Sequence, residues 1–279
     1  MLPVDGVIAA YNLVLACVWL TAIPLAPMAL PLAVAHGLAA ALPLLLRRVP
    51  VGLPRPAALA REIYPFVALA LFWTELGLLQ AVRQIPPHDP TVAGWDRAIF
   101  GIHLHTTWSA AMPAPWLSEA MYGSYFSYYL ILTLPPLALA LAGRVDALRD
   151  IALRAMVTYL GCFLVYIAFP VYGPFSYGAV TNDPSATGIL HALVNRARES
   201  GDSPGTAFPS SHVAGALTMA WTGWRWFPRP VGVALVALAI LVPFATVYTG
   251  NHYTIDAVAG ALWAVAAQLI LVPALARAF

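Results

Sequence analysis

The stretch GVIAAYNLVLACVWLTAIPLAPMALPLAVAHGLAAALPLLL, residues 6–46, holds no formally charged side chain. A helix crosses the hydrocarbon core of a bilayer in roughly 20 apolar residues, so this run is long enough for two crossings. Pro24, Pro27 and Pro31 mark a tight turn in its middle. Two spans are read here, near 7–24 and 28–46, with Arg47 and Arg48 ending the second. Ahead of them, Met1 to Gly6 carries Asp5 and no basic residue. That is unlike a cleaved signal peptide, and the first run is taken as a retained span.

The rest of the chain has the same character. Of 279 residues, 61% are hydrophobic and 9% charged, too few polar groups to coat a soluble core of this size. In lipid the requirement reverses, because the outer surface must be apolar. Further spans are expected near 63–82, 121–142, 151–169, 211–227, 231–250 and 254–276. The expected fold is all-α, a single polytopic transmembrane domain of about eight spans covering residues 1–279. The two longest connections, about 83–120 and 170–210, are expected to form short helices along the membrane surface. The first carries Trp95, Phe100, Trp108 and Trp116, and such aromatics favour the interface.

All 14 basic residues are arginine, and the net charge of +2 gives no reason to expect a nucleic-acid partner. With eight spans, ten arginines fall on one side: 47, 48, 55, 61, 144, 149, 154, 225, 229 and 277. Arg83, Arg97, Arg196 and Arg198 fall on the other. The arginine-rich side is then cytoplasmic, with both termini inside. Abundant alanine and arginine without lysine suggest a GC-rich bacterial genome, so the expected location is the plasma (bacterial inner) membrane. Cys17 and Cys162 lie in apolar runs and read as two free buried thiols.

Two short stretches within 205–256 carry the chemistry. One is Gly205-Thr206-Ala207-Phe208-Pro209-Ser210-Ser211-His212, which opens the sixth span. The other is Tyr248-Thr249-Gly250-Asn251-His252-Tyr253-Thr254-Ile255-Asp256, between the seventh and eighth. Both are expected at the extracytoplasmic face. His252 and Asp256 are four apart, which on a helix stacks them on one face. The carboxylate can then hold one imidazole nitrogen protonated and leave the other free to attack phosphorus, giving a phosphohistidine. Pro209 and Ser210 are a helix-initiation signal, and the N–H groups of a helix start bind anions. A phosphate held there, with Ser210 and Ser211 as added donors, would lie beside His212 as general acid. Two imidazoles and a carboxylate can also ligate zinc, so a metal reading of His252, Asp256 and His212 stays open beside the anion reading. His103 and His105 are two apart, which separates them on a helix, and no metal pair is expected there. His36, His88 and His191 read as interfacial residues. Glu75, inside the third span, is either functional or paired with a neighbour.

The two stretches resemble the second and third motifs of the type-2 phosphatidic acid phosphatase superfamily. Its second motif is Pro-Ser-Gly-His, matched by Pro209, Ser210 and His212 with Ser211 in place of glycine. Its third is Ser-Arg, five residues, His, three residues, Asp, matched by His252 and Asp256. The resemblance implies His252 as nucleophile, Asp256 as its orienter and His212 as acid, with no metal and no cofactor. The Ser-Arg pair falls on Ala245 and Thr246, and the lysine-containing first motif cannot exist in a chain without lysine. The departures, together with Asp96–Gly101, Tyr125–Tyr129 and Phe169–Pro174, make residues 95–260 more similar to the branch of fungal inositol phosphorylceramide synthase and its bacterial relatives. Arg196 and Arg198 are the candidates to replace the lost cations, with Arg97 a lesser one, and Tyr172 and Asn251 the candidate hydrogen-bond donors.

These residues imply a membrane lipid phosphotransferase. Its partners would be membrane lipids: a phospholipid, polyprenyl or sphingolipid phosphate donor and a lipid or alcohol acceptor. A phosphatase with water as acceptor would use the same residues. A lipid transporter without chemistry is the alternative from another class; it predicts that His252→Ala leaves activity intact.

Overall fold

The computed structural model describes residues 2–46, 55–178, 186–201 and 203–278; Arg47 and Arg48 lie outside them. Among the described residues the regular structure is helical, and the one bridge, between Val171 and Thr206, is isolated. The helices are α1 (Pro3–Thr21), α2 (Ala29–Leu46), α3 (Arg55–Arg83), α4 (Asp89–Phe100), α5 (Leu104–Ala111) and α6 (Pro115–Leu141). They continue as α7 (Val145–Ala168), α8 (Ile189–Gly201), α9 (Ser211–Trp226), α10 (Arg229–Tyr248), α11 (Thr254–Ala266) and α12 (Val272–Ala278). A single π-helical turn, Ala267–Leu271, joins α11 to α12.

Six of these helical segments are long and apolar enough to cross a membrane: Pro3–Thr21, Leu59–Arg83, Pro115–Leu141, Val145–Ala168, Arg229–Tyr248 and Thr254–Ala278. The other two expected spans fall on shorter helices. The apolar part of α2 is Ala29–Pro43, and α9 has 16 residues. At 1.5 Å per residue α9 reaches about 24 Å, short of a full hydrocarbon core. It is instead enclosed by protein, with Val213, Ala214, Ala216, Met219 and Ala220 all buried.

Helix α7 is the hub, buried on every side from Ile151 to Leu160 and packed against α1, α3, α6 and α9. Around it, Leu38, Leu71, Leu141 and Leu262 point outward and stay exposed, as the lipid-facing surface of a bundle requires. Cys17 is exposed on that surface, contrary to the expectation of two buried thiols; Cys162 is buried, and both are free.

Several polar side chains inside the bundle are paired, as low-dielectric burial favours. Glu75 Oε1 accepts hydrogen bonds from Trp19 Nε1 at 2.6 Å and His36 Nε2 at 2.6 Å. The other nitrogen of His36 meets Asn12 Oδ1 at 2.8 Å. Glu75 thus ties α1, α2 and α3 together. Near the start of α7, Arg154 donates to Asp150 at 3.0 Å and to Gln268 Oε1, in the π turn, at 2.9 Å. Gln268 Nε2 in turn reaches Thr158 and Thr218 Oγ1, each at 3.1 Å. Asp5 with Arg61, and Glu62 with Arg149, form ion pairs near the starts of α1, α3 and α7.

His103 and His105 do not share a helix face, because His103 is outside the helix. It is the N-cap of α5, with φ −93° and ψ 90°, and this extended residue brings the two rings to 5.3 Å.

Candidate active site

The sequence segment 249–256 turns out of α10 and into α11. The N–H groups of Asn251 and His252 both donate to Thr246 O, at 3.0 and 3.1 Å, closing the end of α10. Tyr253 is the N-cap of α11, and Asp256 Oδ2 reaches back to accept its N–H at 2.9 Å. The same oxygen faces His252 Nδ1 at 3.3 Å. The four-residue spacing therefore works by a different route from the helical stacking expected. His252 lies just ahead of the helix, and Asp256 meets it as the capping side chain of the first turn.

Helix α9 is held against this turn. Ser210 N–H donates to the main-chain carbonyl of Asp256 at 3.0 Å. A side chain at Gly260 would collide with the Ser210 carbonyl, so glycine there permits the close approach. The approach brings His212 Nδ1 to 3.3 Å from His252 Nε2. On its other side, His212 Nε2 is 3.0 Å from Tyr125 OH of α6. With Asp256 ionised and His252 neutral, one proton arrangement satisfies the row. Tyr125 O–H donates to His212 Nε2, His212 Nδ1–H to His252 Nε2, and His252 Nδ1–H to Asp256. His252 is 2% exposed. Burial, and secondarily the neighbouring His212, hold its pKa well below the usual imidazole value. It is thus kept neutral, the form a nucleophile needs. Asp256, His252 and His212 form a series, with the His252 ring between the other two. They do not surround a common point, which is what a metal site requires.

A cavity of about 250 Å³ opens over the two imidazoles, lined among others by Tyr125, Tyr172, Ser176, Asn251, His212 and His252. Tyr172 is held from behind: Asp89 accepts the N–H groups of Tyr172 and Gly173, both at 2.8 Å. Gly173 has a φ of +85° and lies against the Asn251 carbonyl, where a side chain would not fit. Arg198 of α8 is buried and gripped on three sides. It donates to Asn251 Oδ1 at 2.9 Å, Asn195 Oδ1 at 2.9 Å and Thr249 O at 2.8 Å. Its guanidinium lies 4.2 Å from the centre of the Phe175 ring. Arg196, two residues earlier, points away, with its side chain 82% exposed and paired to Glu199 at 3.8 Å. Ser210 and Ser211 are buried beneath the site. Ser210 Oγ caps the Val213 N–H at 3.3 Å, and the Ser211 N–H goes to Tyr166 OH at 3.1 Å. Glu75 makes its contacts with Trp19 and His36 instead of with this cluster.

A second cavity of about 600 Å³ is almost wholly apolar, lined by α3, α6 and α7 residues such as Phe66, Leu69, Tyr129, Leu132 and Phe163. Trp73 and His212 line both cavities. Tyr125 and Asp89 were not singled out as site residues from the sequence. Tyr125 lay within the aromatic run 125–129 already noted, and Asp89 precedes a proline at a helix start, but neither context reveals a partner more than 80 residues away.

Compared with known proteins, residues 91–270 match a family model described as the PAP2 superfamily. No curated protein and no solved structure matches the chain. The match covers more than half of the sequence and includes both histidine stretches, so the chain belongs to the PAP2 superfamily, an enzyme family of phosphatases and phosphotransferases.

Proposed function

We propose that this protein is an integral membrane lipid phosphotransferase that works through a phosphohistidine on His252. The observation that carries the proposal is the Asp256–His252–His212–Tyr125 row at the floor of the 250 Å³ cavity. A phosphate entering the cavity parts the two imidazoles and presents phosphorus to His252 Nε2. That nitrogen attacks and the bond from phosphorus to the leaving oxygen breaks; His212, which takes up a second proton on Nε2 when the anionic phosphate binds beside it, gives its Nδ1 proton to the departing oxygen and returns to the neutral form. In the second half, His212 takes the proton of an acceptor hydroxyl, whose oxygen attacks phosphorus and releases His252. Arg198 and Asn251 stand in for the cations this chain lacks, and Tyr172 offers a further donor. Asp256 Oδ2 accepts from His252 Nδ1–H and fixes the His252 tautomer.

The apolar cavity supports a lipid substrate, because it meets the polar one at Trp73 and His212. Similarity to inositol phosphorylceramide synthases supports transfer to an alcohol. The topology we favour has eight spans, counting α2 and α9, with α4, α5 and α8 along the extracytoplasmic surface. The ion pairs of Asp5, Glu62 and Asp150 gather near the starts of α1, α3 and α7. The histidines lie at the opposite ends of these helices, which supports a site facing away from the cytoplasm.

The test is product analysis of purified protein with phospholipid and polyprenyl phosphate donors, with and without an added lipid alcohol. A phosphorylated acceptor is the expected product; release of inorganic phosphate alone would replace transfer with hydrolysis. The pH profile gives a separate check. Neutral His252 is the reactive form, and its lowered pKa moves the acid limb of kcat/KM below the ordinary imidazole value of about 6.5. The rate at pH 6 should stay within about twofold of that at pH 7; an unshifted imidazole would lose about threefold.

A further inference from the structure

Behind the catalytic turn, at the corner between α4 and α5, three polar atoms face one another. Asp96 Oδ2, His103 Nδ1 and His105 Nδ1 are each buried, and none has a hydrogen-bond partner. Asp96 Oδ2 lies 4.0 Å from His103 Nδ1 and 3.8 Å from His105 Nδ1. The ligand atoms of the three residues all fall within 4.8 Å of one another. These separations are too long for hydrogen bonds. They are wider than the about 3.4 Å that separates ligand atoms at the corners of a tetrahedron around zinc, so the three side chains would draw together around a bound ion.

Buried polar atoms are nearly always satisfied, and three orphans aimed at one point call for a shared partner. The Asp96 and His105 side chains are respectively 0% and 3% exposed and that of His103 30%, so the cluster is closed on the Asp96 and His105 side. The neighbouring buried carboxylate provides a contrast. Asp89 uses both its oxygens, on the Tyr172 and Gly173 N–H groups and on Tyr253 OH at 3.1 Å. Asp96 Oδ1 accepts the Ile255 N–H at 2.9 Å, with Thr254 also beside the carboxylate, and Oδ2 turns toward the histidines.

We propose that Asp96, His103 and His105 form a structural metal site for a divalent transition-metal ion, zinc by its ligand chemistry. Two imidazole nitrogens and one carboxylate oxygen suit zinc better than calcium or magnesium, which prefer oxygen alone. The site braces the active-site turn. Asp96 holds the Ile255 N–H, and the His105 ring packs edge-to-face on Tyr253 at 4.9 Å. Ile255 and Tyr253 lie between His252 and Asp256 in sequence, so the ion pins α4 and α5 to the start of α11. The proposal does not depend on which reaction His252 performs.

Metal analysis of tag-free protein, purified in detergent without chelator, tests it directly. Wild type should hold about one zinc per chain, and Asp96→Asn and His105→Ala should hold almost none. Stripping wild type with a chelator should lower Tm, and added zinc should restore it, whereas the variants should not respond. Because the variants can fail to fold, stripped wild type is also reloaded with cobalt(II). Tetrahedral nitrogen–oxygen coordination should then give visible absorption bands. Wild type that carries no zinc, gains no bands with cobalt and keeps its Tm through chelation would overturn the proposal. Equal zinc in wild type and both variants would do the same.

Discussion

His252→Ala is expected to lower kcat by on the order of 10⁴-fold or more, with the protein still folded. Alanine removes the attacking nitrogen, and no other side chain on the cavity floor can replace it. His212 lies 3.3 Å away but carries its proton on the nitrogen that faces phosphorus. The start of α11 should survive, since Asp256 still accepts the Tyr253 N–H at 2.9 Å. Such a loss corresponds to about 5.5 kcal/mol of transition-state stabilisation. Turnover of a lipid phosphate donor measures it, together with alkaline detergent quenching of a labelled donor. Wild type should retain acid-labile, base-stable phosphate on the protein, and the variant none. A variant within tenfold of wild type would end the nucleophile assignment.

Arg198→Ala should cost roughly 10²–10³-fold in kcat, the loss seen when one preorganised donor to a developing anion is removed. Arg198 is buried, and two of its three hydrogen bonds fix the Thr249–Asn251 turn that leads to His252. It also lies within electrostatic reach of His212. Arg198→Lys should recover little, because an ammonium cannot reproduce the planar fork that spans Asn195, Asn251 and Thr249. Arg196→Ala is the control: its exposed side chain should be worth less than about twofold. Measuring kcat, KM and Tm on all three variants separates charge from folding. Equal losses at 196 and 198, or none at 198 with Tm unchanged, would remove Arg198 from the phosphate site.

Much of this protein is readable before any coordinates. Helices stand at all eight expected positions, and at six of them the cause is compositional, an apolar run of the required length. His252 and Asp256 were legible from spacing, although the contact arises from capping and not from a shared helical face. Sequence could not choose between Arg196 and Arg198. Two residues apart on one helix, they point in opposite directions, and only the packing of α8 on the Thr249 turn says which is inside. Tyr125 escaped for a related reason, since its partner is 87 residues away. For His103 and His105 a helical spacing was assumed, and the single extended residue at the N-cap brings their rings to 5.3 Å instead. Local backbone conformation at helix ends is where pattern reading is weakest.

Arg154 has a consequence for how the chain is made. This charge lies in the most enclosed helix, and one of its two partners, Gln268, comes 114 residues later. When α7 leaves the ribosome, only Asp150, on the same helix, is at hand. The knot of Arg154, Gln268, Thr158 and Thr218 closes only after the segment carrying Gln268 has been synthesised and inserted. Biogenesis thus has a built-in completion step, and nascent chains cut short before α11 should be recognised and degraded by membrane quality control.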